Sequence, residues 1–332
     1  MFVRGSTNCR PRALLGRRRA REEAGARSGG GRRSGAGAGA SAGVWSGAMA
    51  LARSLMVVGG GKMGEALVAG LLRTGWAQPQ AMVVVETDGA RRAELSARYP
   101  GLRVVDQAKE AGAAAGDSSG DAIVAVKPAD AEAACRSLPT IGTRRVLSIA
   151  AGVTLASLES WLEDGSGAGS QDHGMAVVRA MPNTPALVGC GAAAIAGGRA
   201  AGPDDLAWAQ GILEAVGTVV VVPETDLDAV TGLSGSGPAY VFLLAEALID
   251  AGELVGLSHP VARQLAVQTL LGSARLLAET GDDPATLRAA VTSPGGTTAA
   301  GLRVLEAAGV RHAVHEAVAA ATQRSRELGR PA

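Results

Sequence analysis

The residues able to do chemistry in this chain fall into short motifs. The first is Val58-Gly59-Gly60-Gly61-Lys62-Met63-Gly64, which contains the spacing G-x-G-x-x-G. Alone that spacing is weak in a chain with 47 glycines. Here it follows the apolar run Leu55–Val58 and precedes a helical stripe through Leu67, Val68, Leu71 and Leu72. A strand, then the glycine loop, then a helix is the context in which this pattern binds a dinucleotide. Gly59 permits a tight turn, Gly61 lets the backbone approach a diphosphate, and Gly64 lets helix and strand pack closely. The free N–H groups and dipole at the helix start favour the anion. Glu86 lies 22 residues beyond Gly64, at the end of a second apolar run. An acid there binds ribose hydroxyls and repels a 2′-phosphate. Arg91 and Arg92 follow closely and could receive that phosphate, so NADH and NADPH both stay open.

Further motifs close later apolar runs. Ala125-Val126-Lys127-Pro128 and Ala150-Ala151-Gly152 stand where strands end, which in an open α/β sheet is the ligand edge. Tight-turn geometry would explain both equally well. Asn183, in Arg179–Pro185 between two prolines, offers an amide to a carboxamide or a substrate, or else a turn. Thr231–Tyr240 combines three glycines with Pro238 and reads as close packing or as a ligand loop. Ser293-Pro294-Gly295-Gly296-Thr297-Thr298 exposes successive N–H groups flanked by three hydroxyls, without a positive charge. That composition suits a small carboxylate held by hydrogen bonds. No Lys follows residue 222, and His259, His312 and His315 lie on helical patterns away from the glycine loops. Oxidation of an alcohol needs a base. Adding hydride to a protonated C=N bond does not, because a hydroxyl or a water can supply the nitrogen proton.

These motifs need elements to hold them. The runs at Leu55–Val58, Met82–Glu86, Val104–Val105, Ala122–Val126, Arg145–Ala150, Val177–Val178 and Thr218–Val222 do not alternate, and helical patterns separate several of them. This predicts an α/β domain with a parallel sheet covered on both faces, over residues 51–222. From residue 223 to 332 only helical patterns follow, which predicts an all-helical second domain. Tyr240–Ile249 is apolar nearly all round and is expected to be buried. Ser258-His259-Pro260 and Asp283-Pro284 read as helix starts. Asp164–Gly174 and Gly116–Gly120 read as surface loops.

The chain has 332 residues, enough for two domains. Aromatics make up 2%, which excludes nucleic-acid modules built on aromatic stacking. Residues 1–50 hold ten Arg against two acids, leaving 22 basic and 29 acidic residues in the body. Residues 1–48 are low-complexity Arg, Gly, Ser and Ala, and three readings stay open for them: a transit peptide, a basic arm, or sequence upstream of a true start at Met49 or Met56. Cys9, Cys135 and Cys190 are far apart and odd in number, so neither a disulfide framework nor a metal site is expected, and a reducing compartment fits. No run of 18 uninterrupted apolar residues exists, so no membrane span is expected.

Taken together, Val57–Gly64, Ala125–Pro128, Met181–Pro185, Thr231–Tyr240 and Pro284–Glu306 resemble the pyrroline-5-carboxylate reductase family over roughly residues 54–328. The most specific run is Val291-Thr292-Ser293-Pro294-Gly295-Gly296-Thr297-Thr298, with Gly301-Leu302 and Leu305-Glu306 after it. The resemblance implies the last step of proline biosynthesis, NADPH- or NADH-dependent reduction of 1-pyrroline-5-carboxylate to L-proline. It implies a Rossmann-type doubly wound sheet plus a C-terminal helical dimerisation domain that interlocks two subunits, with dimers assembled into rings of five. It also implies a cytoplasmic enzyme, unless residues 1–48 direct it to an organelle. By the same resemblance, Ser293, Gly296, Thr297 and Thr298 bind the substrate carboxylate, Thr298 contacts the imine nitrogen, and Glu224 is an acid near the substrate. Some members carry an acid where this chain has Gly281, with Glu279 and Asp282 beside it. Two other readings remain: a hydroxyacid dehydrogenase, which would need a Lys the helical half lacks, and a dinucleotide binder without catalysis.

Overall fold

The computed structural model describes residues 55–113, 120–163 and 174–329. The readings of residues 1–48 and of most of the loops at 116–120 and 164–174 lie outside them.

Short Val- and Leu-rich runs become strands because β-branched side chains pack well on a pleated, buried surface. The chain runs β1 (Leu55–Val58), α1 (Lys62–Thr74), β2 (Met82–Val85), α2 (Gly89–Arg98), β3 (Arg103–Val105) and α3 (Ala108–Ala113). It continues with β4 (Asp121–Val124), α4 (Ala131–Ser137), β5 (Arg145–Ser148), α5 (Leu155–Glu163) and β6 (Ala176–Met181). Then come β7 (Gly191–Gly197), α6 (Pro203–Leu213) and β8 (Gly217–Val221). These eight strands form one sheet in the order β3-β2-β1-β4-β5-β6-β7-β8. Strands β1 to β6 are parallel, with Leu55 opposite both Met82 and Asp121.

The expectation of a wholly parallel sheet needs one correction. β7 runs antiparallel to β6, and β8 pairs parallel to β7. β7 has the sequence GAAAIAG, and its small residues carry little strand propensity, so it left no pattern to read. β6 also extends through Arg179 to Met181, so the loop there starts at Pro182.

Both faces of the sheet are covered, as expected. Val57, Ile123, Leu147 and Val178 pack with Leu67 and Leu71 of α1 and Ile212 of α6 on one face. Met56, Val124, Val146 and Val177 pack with Cys135 of α4 and Leu158 of α5 on the other. Each fully buried aliphatic side chain contributes about 1.5–3 kcal/mol. Cys135 is free and its thiol is pushed up to about 11 by burial.

After β8 the described chain is helical: α7 (Leu227–Val230), a π-helical turn Thr231–Gly235, then α8 (Gly237–Leu254), α9 (His259–Thr280), α10 (Pro284–Ala290), α11 (Thr297–Ala307) and α12 (Val310–Leu328). Ser258 sits at the N-cap of α9, and the Asp283 carboxylate caps α10 by accepting from the Ala285 N–H at 2.8 Å. Gly281 ends α9 in the left-handed region at φ +67°, which explains a glycine where relatives were expected to carry an acid.

One expectation fails outright. α8 has no buried residue, and Phe242 and Leu243 are 62% and 66% exposed. An apolar helix on the outside of a single chain lacks the cover its composition calls for. Glu224–Leu254 is also long and apolar enough, by length and composition, to cross a membrane, with a mean hydropathy of 1.3. The stretch is not an uninterrupted apolar run, because Glu246, Asp250 and Glu253 lie within it.

Candidate active site

The glycine loop sits where β1 ends and α1 begins. Gly59 adopts φ +106° and donates its N–H to the Val85 carbonyl at 2.8 Å. A Cβ on Gly59 would lie 2.6 Å from the Ala125 carbonyl oxygen, and one on Gly64 would lie 2.0 Å from the Gly59 oxygen. Both glycines are therefore demanded by backbone packing. Gly61 is different. It has the ordinary dihedrals φ −64°, ψ −177°, and a Cβ there would meet nothing within 4 Å. No packing contact requires a glycine at Gly61, and the space beside it is open. Gly61 is the N-cap of α1 and no side chain caps that helix. Open backbone and an uncapped helix start are what a dinucleotide diphosphate needs. The residues present fit that group, and Lys62 lies exposed at the helix start.

At the end of β2, the Glu86 carboxylate accepts from the Gly60 N–H at 2.9 Å and from the Asp88 N–H at 3.0 Å. Asp88 caps α2, accepting from the Ala90 N–H at 2.8 Å and the Arg91 N–H at 3.3 Å. Arg91 donates Nε to the Gly60 carbonyl at 2.8 Å and pairs with Glu65 and Glu94. Arg92 donates Nη1 to the carbonyls of Glu86 at 2.9 Å and Thr87 at 2.8 Å.

Sequence reasoning missed Glu65. It gathers Arg91, Arg98 and the Tyr99 hydroxyl, and so binds α1 to α2. Burial alone would raise its carboxyl, but those three hydrogen bonds outweigh burial and hold it below the usual carboxylate range. An acid in the first turn of α1 was a signal for helix-start electrostatics, not for this tie.

The other cofactor-edge residues stand at strand ends as expected. The Ala125 N–H donates to the Val58 carbonyl at 2.7 Å, and Val126, Lys127 and Pro128 follow β4. Ala150, Ala151 and Gly152 follow β5, but this loop is less open than expected. Gly152, at φ +76°, lies against Leu328, and a Cβ on Gly329 would sit 3.2 Å from its carbonyl oxygen. The end of α12 thus backs this loop. Asn183 is buried, its Oδ1 accepting from the Ala192 N–H at 2.8 Å and its Nδ2 donating to the Ser234 carbonyl at 3.0 Å. These bonds make it a strut between β7 and the π-helical turn. Thr231–Tyr240 is close-packed: a Cβ on Gly232 would lie 2.2 Å from Thr322 Oγ1, and the Tyr240 hydroxyl donates to the Gly232 carbonyl at 3.2 Å.

Glu224 is anchored through one carboxylate oxygen. Its Oε1 accepts from the Leu155 N–H at 2.7 Å and from Arg179 Nη1 at 2.8 Å. Arg179 is 8% exposed, so its charge needs this partner. Glu224 therefore ties the start of the helical part to α5 and β6. Its side chain also borders a groove of about 660 Å³ beside Ala156, Glu159 and Arg199, which none of the dinucleotide motif residues lines.

The hydroxyl-rich loop is held as a turn. Gly295 adopts φ +68°, the Gly296 N–H donates to the Ser293 carbonyl at 3.0 Å, and Gly296 begins α11 with no side-chain cap. Ser293 and Thr297 are exposed, and Thr298 is half-buried. His312 and His315 are exposed, and His259, also exposed, pairs with Glu253. The motif residues of β1, β2, β4, β5 and β6 share one sheet edge. The 293–298 loop sits at the start of α11, a helix that packs on α12.

Two family models match the chain. A family model described as "Pyrroline-5-carboxylate reductase dimerisation" matches residues 224–328. One described as "NADP oxidoreductase coenzyme F420-dependent" matches residues 54–152. A pyrroline-5-carboxylate reductase of Synechocystis is 47% identical over 277 residues, covering 83% of this chain and 98% of the relative. The chain belongs to the pyrroline-5-carboxylate reductase family. Among solved structures of the family, that from Coxiella burnetii is 34% identical with a TM-score of 0.75, covering 84% of this chain and all of its own. That of Plasmodium falciparum, with NADP bound, is 28% identical with a TM-score of 0.69, covering 84% of this chain and 98% of its own. Fold class and family thus agree with the resemblance read from the motifs.

Proposed function

We propose that this chain reduces 1-pyrroline-5-carboxylate to L-proline with NADPH or NADH, the last step of proline biosynthesis. The observation that carries the reading is the open, uncapped start of α1 at Gly61, on a chain of this family. When bound, the nicotinamide cofactor supplies the hydride that reduces the C=N carbon. The protein's own part is to bind, orient and desolvate. The α1 N–H groups hold the diphosphate, and the ends of β4 and β5 line the rest of the cofactor edge. The turn at Ser293–Gly296 and the uncapped start of α11 hold the substrate carboxylate through Ser293 and the N–H groups of Gly296, Thr297 and Thr298. Thr298 Oγ1 hydrogen-bonds the ring nitrogen, where a hydroxyl or a water delivers the proton. The helical part holds no Lys and its histidines are exposed, in keeping with a reaction that needs no strong base.

In this reading the site is composite. The bare apolar face of α8 packs against a second copy, and interlocking of the two brings the exposed 293–298 loop to a sheet edge. The dimerisation family model spans this apolar face, which supports a covered interface between two copies. Five such dimers assemble into a ring. The domain boundary lies near residue 222, where strands give way to helices. The enzyme works in the cytoplasm unless residues 1–48 act as a transit peptide.

The test is NADH and NADPH absorbance with the full chain and synthetic pyrroline-5-carboxylate. Thr298→Ala is expected to lower turnover by about tenfold or more while cofactor affinity stays within about twofold. Wild-type turnover in that variant removes Thr298 from the mechanism. No oxidation by folded protein supports the non-catalytic binder instead.

A further inference from the structure

Use of a dinucleotide leaves open which one, and the corner that decides lies at the ends of β2 and β3. In this fold the residue ending β2 sits beside the adenosine 2′ position. Glu86 is fixed there, with one carboxylate oxygen on the Gly60 N–H and the other on the Asp88 N–H. The carboxylate presses on the glycine loop, since a Cβ on Gly60 would lie 3.1 Å from Glu86 Oε2. Two more acids share the corner. Asp88 caps α2. Asp106 directly follows β3, whose Val105 carbonyl accepts from the Glu86 N–H at 2.9 Å, and its Oδ1 is buried without a partner.

The two arginines the sequence offered to a phosphate are not equivalent. Arg91 is held by Glu65, Glu94 and the Gly60 carbonyl, so its charge is already matched. Arg92 has no carboxylate partner, but its Nη1 is engaged by the Glu86 and Thr87 carbonyls. The Arg91 charge is thus already matched and Arg92 spends Nη1 on two carbonyls, while the Glu86 carboxylate is fixed at the end of β2. A 2′-phosphate brings roughly −1.5 to −2 further charge. A free ribose diol instead donates to the remaining lone pairs of Glu86.

We propose that this chain prefers NADH to NADPH and that Glu86 sets the preference. The proposal rests on the family reading only for use of a nicotinamide dinucleotide, not for the substrate. It is tested by binding rather than turnover: calorimetric titration of the full chain with NADH and with NADPH, and thermal shift with 5′-AMP against 2′,5′-ADP. NADH is expected to bind about tenfold tighter or more than NADPH, and 5′-AMP to stabilise more than 2′,5′-ADP. Glu86→Gln keeps an acceptor for Gly60 while removing the charge, and should bring the two dinucleotides within about threefold. Glu86→Ser serves the same comparison if the Gln variant is unfolded by circular dichroism. Equal affinities, or tighter NADPH, in the wild type overturn the preference. Tighter NADPH that is lost in Arg92→Ala assigns the phosphate to Arg92. A wild-type preference unchanged in both Glu86 variants overturns the role of Glu86. If the binding ratio holds but pyrroline-5-carboxylate is not reduced, the reductase reading fails and this one stands.

Discussion

Substituting Gly64 and Gly61 separately by alanine distinguishes a glycine required by the fold from one required by a ligand. On the wild-type backbone, a Cβ at Gly64 falls 2.0 Å from the Gly59 oxygen and 3.4 Å from Ala125 Cβ. Reaching ordinary contact means opening that gap by roughly 1.5 Å. α1 resists this because Gly64, Ala66, Leu67, Val68 and Leu71 are all buried. Overpacking of this kind costs about 1–3 kcal/mol, and contact with a fixed carbonyl places Gly64→Ala at the upper end, about 3 kcal/mol. At Gly61 the added methyl meets nothing within 4 Å and φ is −64°. Alanine is a poorer N-cap than glycine, but it also reduces the freedom of the unfolded chain, so net stability should change by less than about 1 kcal/mol. The same methyl projects into the space where the diphosphate would approach, so dinucleotide Kd should rise about tenfold, or roughly 1.4 kcal/mol. Urea denaturation followed by circular dichroism reads the first quantity and calorimetric titration with NADH the second. Unaltered NADH binding by Gly61→Ala would refute the argument that Gly61 is there for a ligand. An unchanged urea midpoint for Gly64→Ala would refute the packing argument.

Two further outcomes follow from side-chain geometry. Glu65→Gln should cost about 2 kcal/mol at neutral pH, because charged donors lose a charged acceptor. Since the folded state holds the Glu65 carboxyl below its ordinary value of 4.5, its contribution is fully present above that pH and is lost as pH falls through the lower folded value. The wild type should therefore lose more stability than the variant between about pH 5 and pH 2, and parallel stability curves would sink the idea. Phe242→Asp, on the bare face of α8, should convert the assembly to monomer in sedimentation velocity and abolish most turnover. A retained dimer at micromolar concentration would show that the face is not the interface.

The sequence by itself determined the sheet edge and its loop. Leu55–Val58, Met82–Val85 and Asp121–Val124 are runs that bury both faces, and Gly59 and Gly64 stand where the backbone admits no Cβ. Residue type and spacing within each strand–loop–helix unit carry those signals, although the carbonyl that excludes a Cβ at Gly59 is that of Ala125, beside β4. The helix starts at Ser258 and Asp283 were legible because a proline in the first turn of each, and the capping carboxylate of Asp283, act over only a few positions. Tertiary structure decided what depended on partners far along the chain. β7 exists because GAAAIAG finds β6 and β8 on either side, not because of its own propensity. The partners that fix Asn183 and Glu224, namely Ser234, Arg179 and Leu155, stand 45 or more positions away along the chain. Arg91 looked free to bind a phosphate until Glu65, 26 positions away, matched its charge. A polar side chain's role depends on which donor or acceptor reaches it first, and only the folded chain brings those atoms within hydrogen-bond distance.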